Sequence, residues 1–415
     1  MNNKRTTASL LTLHSSSTYL PARIVAGCME FALDAKDIAR SQSVCRGWRL
    51  PANLLDKLFH TRYLQQFEAR TANTPEIARE GAATTPWKTR YRRRHQVRRN
   101  WESGRYKTST VELSHSGGVG FPAFLIVPET NLLLFWRPHT YLALICTTDG
   151  RVMAHSTVTI DPYYTKQVAT NGRSVFCIPG TQNDNTIVEL SLPDLQLVHS
   201  YPFPRFVSKI SVDDKILVGI RAIGGHQHSE VHVFNTEQKQ LLYIIAFEQP
   251  SGTALMDCAL DVASNSLLLT VESSTQEFIH IDRYDLGDGK KQISEPVPCF
   301  EPMIMCHKHG CFMNSVMRDV TTLEPSFDAR DDRTQSFTMQ LTDDHICQYW
   351  YHPRHEIAIH SVSGTDVRFP SINLTGLAGF TGYEGRGCLQ CDAFRVLLYR
   401  NGVLHVFDFA SVNLD

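Results

Sequence analysis

The 415-residue chain has almost no surplus of either charge: 41 Lys and Arg stand against 42 Asp and Glu, a formal net charge of -1. That balance excludes a protein that coats nucleic acid or anionic membrane through bulk electrostatics. No stretch approaches the roughly 20 apolar residues that a membrane-crossing helix needs, so no membrane partner is expected. Residues Met1 to Thr18 are polar and rich in Ser and Thr, which argues against a secretory signal. Local signatures of catalysis are missing too. There is no G-x-S-x-G elbow, no H-E-x-x-H helix and no paired-acid motif, and Gly117-Gly118-Val119-Gly120 lacks the Lys and following helix of a phosphate cradle. No enzyme chemistry, no catalytic residue and no cofactor is therefore expected.

The eleven cysteines are scattered through apolar contexts such as Ile145-Cys146, Phe176-Cys177 and Ile346-Cys347. Such thiols behave as small buried hydrophobes, not as a disulfide framework, and place the chain in a reducing compartment, the cytoplasm or the nucleus. Cys306-His307-Lys308-His309-Gly310-Cys311 and Cys388-Leu389-Gln390-Cys391 gather soft ligands. Read as one strand, the first run points Cys306 and Cys311 to opposite faces, so no metal site is assigned.

What is present begins at Leu20 to Trp48, a run opening on Leu-Pro with an apolar residue every three or four positions. About forty residues bury too little surface to hide the apolar set Leu20, Ile24, Val25, Met29, Leu33, Ile38, Val44 and Trp48 in a core of their own, which calls for a partner. The run resembles the F-box, the helical module by which substrate receptors of ubiquitin ligases attach to a Skp-type adaptor. Arg23 departs from the acidic residue usual after Leu-Pro-x. The resemblance implies that nine residues, Leu20, Pro21, Ile24, Val25, Met29, Ile38, Val44, Cys45 and Trp48, form the adaptor-binding set and that a cullin joins through the adaptor.

Trp87-Lys88-Thr89-Arg90-Tyr91-Arg92-Arg93-Arg94 and Asn100-Trp101-Glu102-Ser103-Gly104 follow. They are similar to the WK-x-x-Y-x-x-R and N-W-x-x-G linker that joins an F-box to a β-propeller. Alone, Lys88 to Arg99 would suggest phosphate binding. Trp87, Tyr91, Val97 and Trp101 give the run a packed face, however, so its basic residues read as the solvated side and nucleic acid is disfavoured.

From about Lys107 the pattern turns to short β-rich runs between turn residues. Units beginning at Leu142, Thr186, Glu230 and Phe278 recur every 44 to 48 residues and look like third strands of four-stranded blades; Val403 to Phe409 repeats the unit. Ser109 to Leu113 is the candidate for closing the last blade, while Met313 to Phe337 reads as a long loop. The Gly-His and Trp-Asp dipeptides of regular WD repeats are nearly absent. The expected fold is α+β multidomain: a flexible stretch to residue 18, an F-box over 19–62, a helical linker over 63–105, and an all-β propeller of six or seven WD-like blades over 106–415. The expected function is the substrate-recognition subunit of an F-box-type cullin-RING ubiquitin ligase, whose propeller captures an unidentified target protein for ubiquitination. The alternative is a propeller scaffold, or a nucleic-acid-binding protein using the basic linker, without ligase delivery.

Overall fold

In the computed structural model, residues 24–26, 35–44, 50–67, 86–113, 123–127, 130–136, 140–160, 168–180, 186–203, 207–221, 229–247, 253–262, 264–273, 279–297, 304–307, 310–313, 316–328, 336–341, 345–350, 356–361, 368–374, 389–400 and 402–412 are described. They form two compact units. The first holds α1 (Ala35–Val44), α2 (Ala52–Phe67) and the opening turns of α3 (Trp87–Ser103), up to Arg92. Its core buries Ile38, Leu58, Phe59, Tyr63 and Tyr91. The Asp56 carboxylate accepts the backbone N–H of Trp87 at 2.5 Å, capping an otherwise unsatisfied donor at the start of α3. His60 stacks on Trp87 at 4.0 Å, and the Tyr91 hydroxyl donates to Gln66 Oε1.

The second unit is the propeller together with the rest of α3. Its first strand is β1 (Lys107–Glu112). Blade 1 is β2 (Ala123–Ile126), β3 (Leu132–Trp136), β4 (Tyr141–Cys146) and β5 (Val152–Thr159); blade 2 is β6 (Val168–Thr170), β7 (Ser174–Cys177), β8 (Thr186–Ser191) and β9 (Leu197–Pro202). Blade 3 is β10 (Lys209–Asp213), β11 (Ile216–Arg221), β12 (Ser229–Asn235) and β13 (Gln240–Phe247); blade 4 is β14 (Thr253–Asp261), β15 (Ser266–Ser273), β16 (Ile279–Asp285) and β17 (Lys291–Val297). Blade 5 is β18 (Ile304–His307), β19 (Gly310–Met313), β20 (Val316–Arg318) and β21 (Pro325–Asp328); blade 6 is β22 (Ser336–Leu341), β23 (His345–Trp350), β24 (Glu356–Ser361) and β25 (Arg368–Asn373). Blade 7 is β26 (Leu389–Cys391), β27 (Arg395–Arg400) and β28 (Val403–Asp408), completed by β1 in the order β1-β28-β27-β26.

Among the described residues these strands make an all-β propeller of seven antiparallel four-stranded sheets. The repeated units at Leu142, Thr186 and Glu230 lie in β4, β8 and β12, and the unit expected from Phe278 is β16 from Ile279 on, so each is the third strand of one of the first four blades. The closing strand falls where the sequence places it: Ser109 pairs with Val406, Thr110 with His405 and Val111 with Leu404. Apolar side chains then fuse the ring at the seam, where Leu397, Tyr399, Leu404 and Val406 of blade 7 share one core with Phe124, Leu133, Phe135 and Ile145 of blade 1. The Arg395 guanidinium crosses the same seam, donating to Thr147 Oγ1 at 2.6 Å and to the Thr130 carbonyl.

Two expectations need correction. Met313 to Phe337 is not a long loop; it contains β20, β21 and the start of β22. Nor do Cys306 and Cys311 share a strand. Cys306 lies on β18 and Cys311 on β19, directly opposed in the register of that antiparallel pair.

The turn between third and fourth strands repeats with the same bonds. Cys146, Ser191, Asp285 and Asp319 each accept, through the backbone carbonyl, the N–H of the residue four ahead, and each donates its own N–H to the carbonyl five ahead. The residue at the fourth position has positive φ in five blades: Gly150, Leu195, Lys239, Gly289 and Leu323. In each blade this position abuts the blade before it. Leu195 and Leu323 are buried in the cores shared with blades 1 and 4 respectively, which offsets the roughly 1 kcal/mol or more of left-handed strain on a non-glycine residue. Gly150 and Gly289 are glycine because Val111 and Tyr243 already fill the space; a Cβ would stand 2.7 Å and 2.8 Å from them. Gly289→Ala is therefore expected to lower stability by about 1–3 kcal/mol through strain plus overlap with the Tyr243 ring. Urea unfolding measures this, and a change under about 0.5 kcal/mol would contradict the contact.

Candidate partner-binding surfaces and buried polar sites

Of the nine residues of the expected adaptor-binding set, Leu20, Pro21, Met29, Cys45 and Trp48 lie outside the described residues, and Val44 ends α1. Ile24 lies in a short helical stretch, 24–26, with half its surface exposed. Val25 is half-buried, Ala26 is buried, and Ile38 is fully buried. Within this set, then, Ile24 is an apolar side chain turned to solvent and Ile38 one spent on the unit's own core.

The linker motif is accounted for side chain by side chain. Within the propeller unit, α3 buries Arg94, Val97, Asn100 and Trp101, a helical stripe with spacings of three and four. Trp101 stacks on Phe409 at 3.8 Å and on His345 at 5.0 Å, and its indole N–H donates to the Ala393 carbonyl at 3.1 Å. Asn100 donates through Nδ2 to the carbonyls of Phe409 at 2.7 Å and Val412 at 2.9 Å; Gln96 adds a bond to Val412. Gly104, at φ +64, closes the helix by a double turn of bonds, Gly104 N–H to Trp101 carbonyl and Arg105 N–H to Asn100 carbonyl. Pro370 lies where a Cβ would be, 2.6 Å away. Of the basic run, Arg94 is buried over the Phe394 ring at 4.9 Å and Arg98 pairs with Glu102 at 3.2 Å, while Arg92, Arg93 and Arg99 are exposed.

A buried ionisable cluster joins blades 2 and 3. Buried Glu189 accepts from Ser174 at 2.9 Å, from the Tyr201 hydroxyl at 2.8 Å, and from the ammonium of Lys239. Burial and the Glu189 carboxylate both push the Tyr201 phenol well above its usual range. Both carboxylate oxygens have partners, and Lys239 sits at the left-handed turn position, so the cluster is built as a latch between blades. A second interblade pair, Lys209 and buried Asp257 at 3.7 Å, lies on the innermost strands of blades 3 and 4. The sequence offered no sign of either: Glu189 and Lys239 are fifty positions apart, and only the strand register brings them together.

Among the described residues no group of three or more His, Cys, Asp or Glu is placed to hold a metal ion, and no helix is long and apolar enough to cross a membrane. Cys388 and Gly117 to Gly120 lie outside the described residues; Cys391 is buried beside Cys347 in the core under Trp101.

No protein-family model matches the chain, and no curated protein matches it. Among solved structures, the chain is similar to the Myceliophteria thermophila Cps50 (Swd1) beta-propeller domain, at 9% identity and TM-score 0.49 over 73% of this chain and 99% of that one. It is also similar to the computationally designed Ika8 protein, at 10% identity and TM-score 0.46 over 72% of this chain and 98% of that one. The propeller assignment rests on the seven sheets and their closure.

Two predictions concern the buried groups. Lys239→Met leaves Glu189 buried with two neutral donors, and because the lysine is a third exposed, the expected loss is about 1–3 kcal/mol in urea unfolding; an unchanged midpoint would contradict the latch. Burial pushes the thiols of Cys177 and Cys311 from 9.0 up to about 12. The folded chain thus holds these protons longer than the unfolded one, so their contribution to stability is complete below about pH 9 and is lost as pH rises toward 12. Iodoacetamide at pH 8 should label half-buried Cys146 and spare Cys177 and Cys311 until unfolding; equal labelling of the three would refute this.

Proposed function

We propose that this chain is the substrate-recognition subunit of an F-box-type cullin-RING ubiquitin ligase. A Skp-type adaptor docks on the segment around Leu20 to Trp48, a cullin joins through that adaptor, and the propeller, a fold suited to serve as a protein-binding scaffold, holds the target. The observation that carries the reading is the pairing of resemblance with exposure. The segment that resembles an F-box keeps Ile24 half exposed while Ile38 is packed away, and an unspent apolar side chain is what a partner interface needs.

The linker adds support. Its Asn100, Trp101 and Gly104 each carry a distinct structural task at the last blades of the propeller unit. In such a receptor the chain supplies no nucleophile. It raises the effective concentration of a target lysine beside a ubiquitin-charged enzyme held elsewhere in the complex. The chain would act in the cytoplasm or nucleus.

The nucleic-acid alternative has fewer free charges than the sequence suggests, because Arg94 is buried against Phe394 and Arg98 is paired with Glu102, while Arg92, Arg93 and Arg99 are exposed.

Purified chain should pull down a Skp-type adaptor and, through it, a cullin. A variant carrying Leu20→Ala, Pro21→Ala and Ile24→Ala should lose adaptor binding by at least about tenfold, at unchanged melting temperature. Absence of adaptor binding by the unmodified chain would leave the propeller scaffold as the reading to pursue.

A further inference from the structure

Six of the cysteines are described, all as free thiols. Cys177, Cys258 and Cys311 sit singly in three separate apolar cores, and Cys146 is half-buried outside them. Cys347 and Cys391 differ. They share one core, the one that also holds Trp101, and the Cys391 thiol is hydrogen-bonded to Cys347. The pair spans two blades: Cys347 lies on β23, the second strand of blade 6, and Cys391 ends β26, the first strand of blade 7. Only the packing of the two sheets on each other brings these sulfurs together.

Their access is unequal. Cys347 is fully buried, whereas Cys391 keeps 9% of its surface exposed, one residue before the turn that Asp392 caps. A small oxidant therefore meets Cys391 first, with Cys347 within reach behind it. This is the relation of an attacking cysteine to a resolving one. Burial and the hydrogen bond to Cys347 hold the Cys391 thiol well above its ordinary range, so little thiolate forms at neutral pH and the chemistry is slow.

We propose that Cys347 and Cys391 form a redox lock: a hydroperoxide converts the pair into a disulfide that ties blade 6 to blade 7. The Cys391 thiolate attacks the O–O bond, which breaks to give a sulfenic acid and an alcohol, or water where the oxidant is hydrogen peroxide. The Cys347 sulfur then displaces the sulfenic oxygen as water and the S–S bond forms. In sum, two thiols and one hydroperoxide give one disulfide, one alcohol and one water. The two sulfurs lose two electrons and the peroxide oxygens gain them. A dithiol reverses the step by exchange, so in a reducing compartment the bond is transient. Blade 7 is where the ring closes through β1 and β28, and a covalent tie to its neighbour restrains the unfolded chain beside that closure. The lock does not depend on the ligase reading.

The test treats the reduced full chain with hydrogen peroxide, blocks remaining thiols after unfolding, and maps the peptides by mass spectrometry without reductant. The expected product is a peptide pair joined through Cys347 and Cys391. It should form roughly tenfold faster at about pH 8 than at about pH 7, following the thiolate fraction, and disappear with dithiothreitol. Oxidised chain should unfold at higher urea than reduced chain. In Cys347→Ala that gain should be absent and Cys391 should stop at the sulfenic acid, which dimedone traps; in Cys391→Ala neither product should appear. The peptide map of the unmodified chain decides the matter even if a variant fails to fold. Both thiols left free by millimolar peroxide, Cys391 oxidised without the link, a link to another cysteine instead, or equal urea midpoints for oxidised and reduced chain would overturn the proposal.

Discussion

The pairing of β1 with β28 is the contact on which the propeller depends. A ring of sheets has no intrinsic stop: without closure, blade 7 would lack its outermost strand and the seam would be held only by side chains. Here one segment from the start of the domain becomes the outer strand of its last sheet, six residues in register from Lys107 against Asp408 to Glu112 against Val403. α3 tightens the same region, since Trp101 stacks on Phe409 and Asn100 holds the carbonyls of Phe409 and Val412 immediately after β28. The last blade is thus gripped on one strand by β1 and beyond that strand by the helix.

Between neighbouring blades the cohesion is chiefly apolar, with single polar ties at chosen places. The left-handed residue after each third strand shows how this is arranged. One backbone geometry, repeated in five blades, always abuts the preceding blade, and its chemistry varies with what waits there: leucine into a core, lysine onto a buried carboxylate, glycine where a tyrosine or valine already fills the gap. Glycine at this position therefore reports on the neighbouring blade as much as on the turn.

How much of this could be read beforehand follows from where each strand sits. Third strands such as β4, β8 and β12 are buried on both faces along most of their length, so they write continuous apolar runs into the sequence and reveal the period. Blade 5 escaped notice because its strands are only three or four residues long and β21 is framed by Pro325 and Asp328, so it reads as a loop. The left-handed residue inside each turn between third and fourth strands was illegible for another reason. Leu195, Lys239 and Leu323 are poor turn residues by propensity, and only the neighbouring blade makes them good ones. Of the adaptor-binding set, the sequence resemblance supplied the order of residues; the division between exposed Ile24 and buried Ile38 needed the structure.

The shared last blade has a consequence for synthesis. β1 and its partner β28 are separated by almost the whole propeller, so the strand made first must wait for the strand made last. At the usual 5–20 residues per second, some three hundred residues take on the order of 15–60 s to emerge. Throughout that interval the apolar seam of blade 1, with Phe124, Leu133 and Phe135, has no opposite side. The nascent chain is thus an open crescent with one sticky end, and its exposure to chaperones or to aggregation is set by the length of the message more than by the stability of the finished ring.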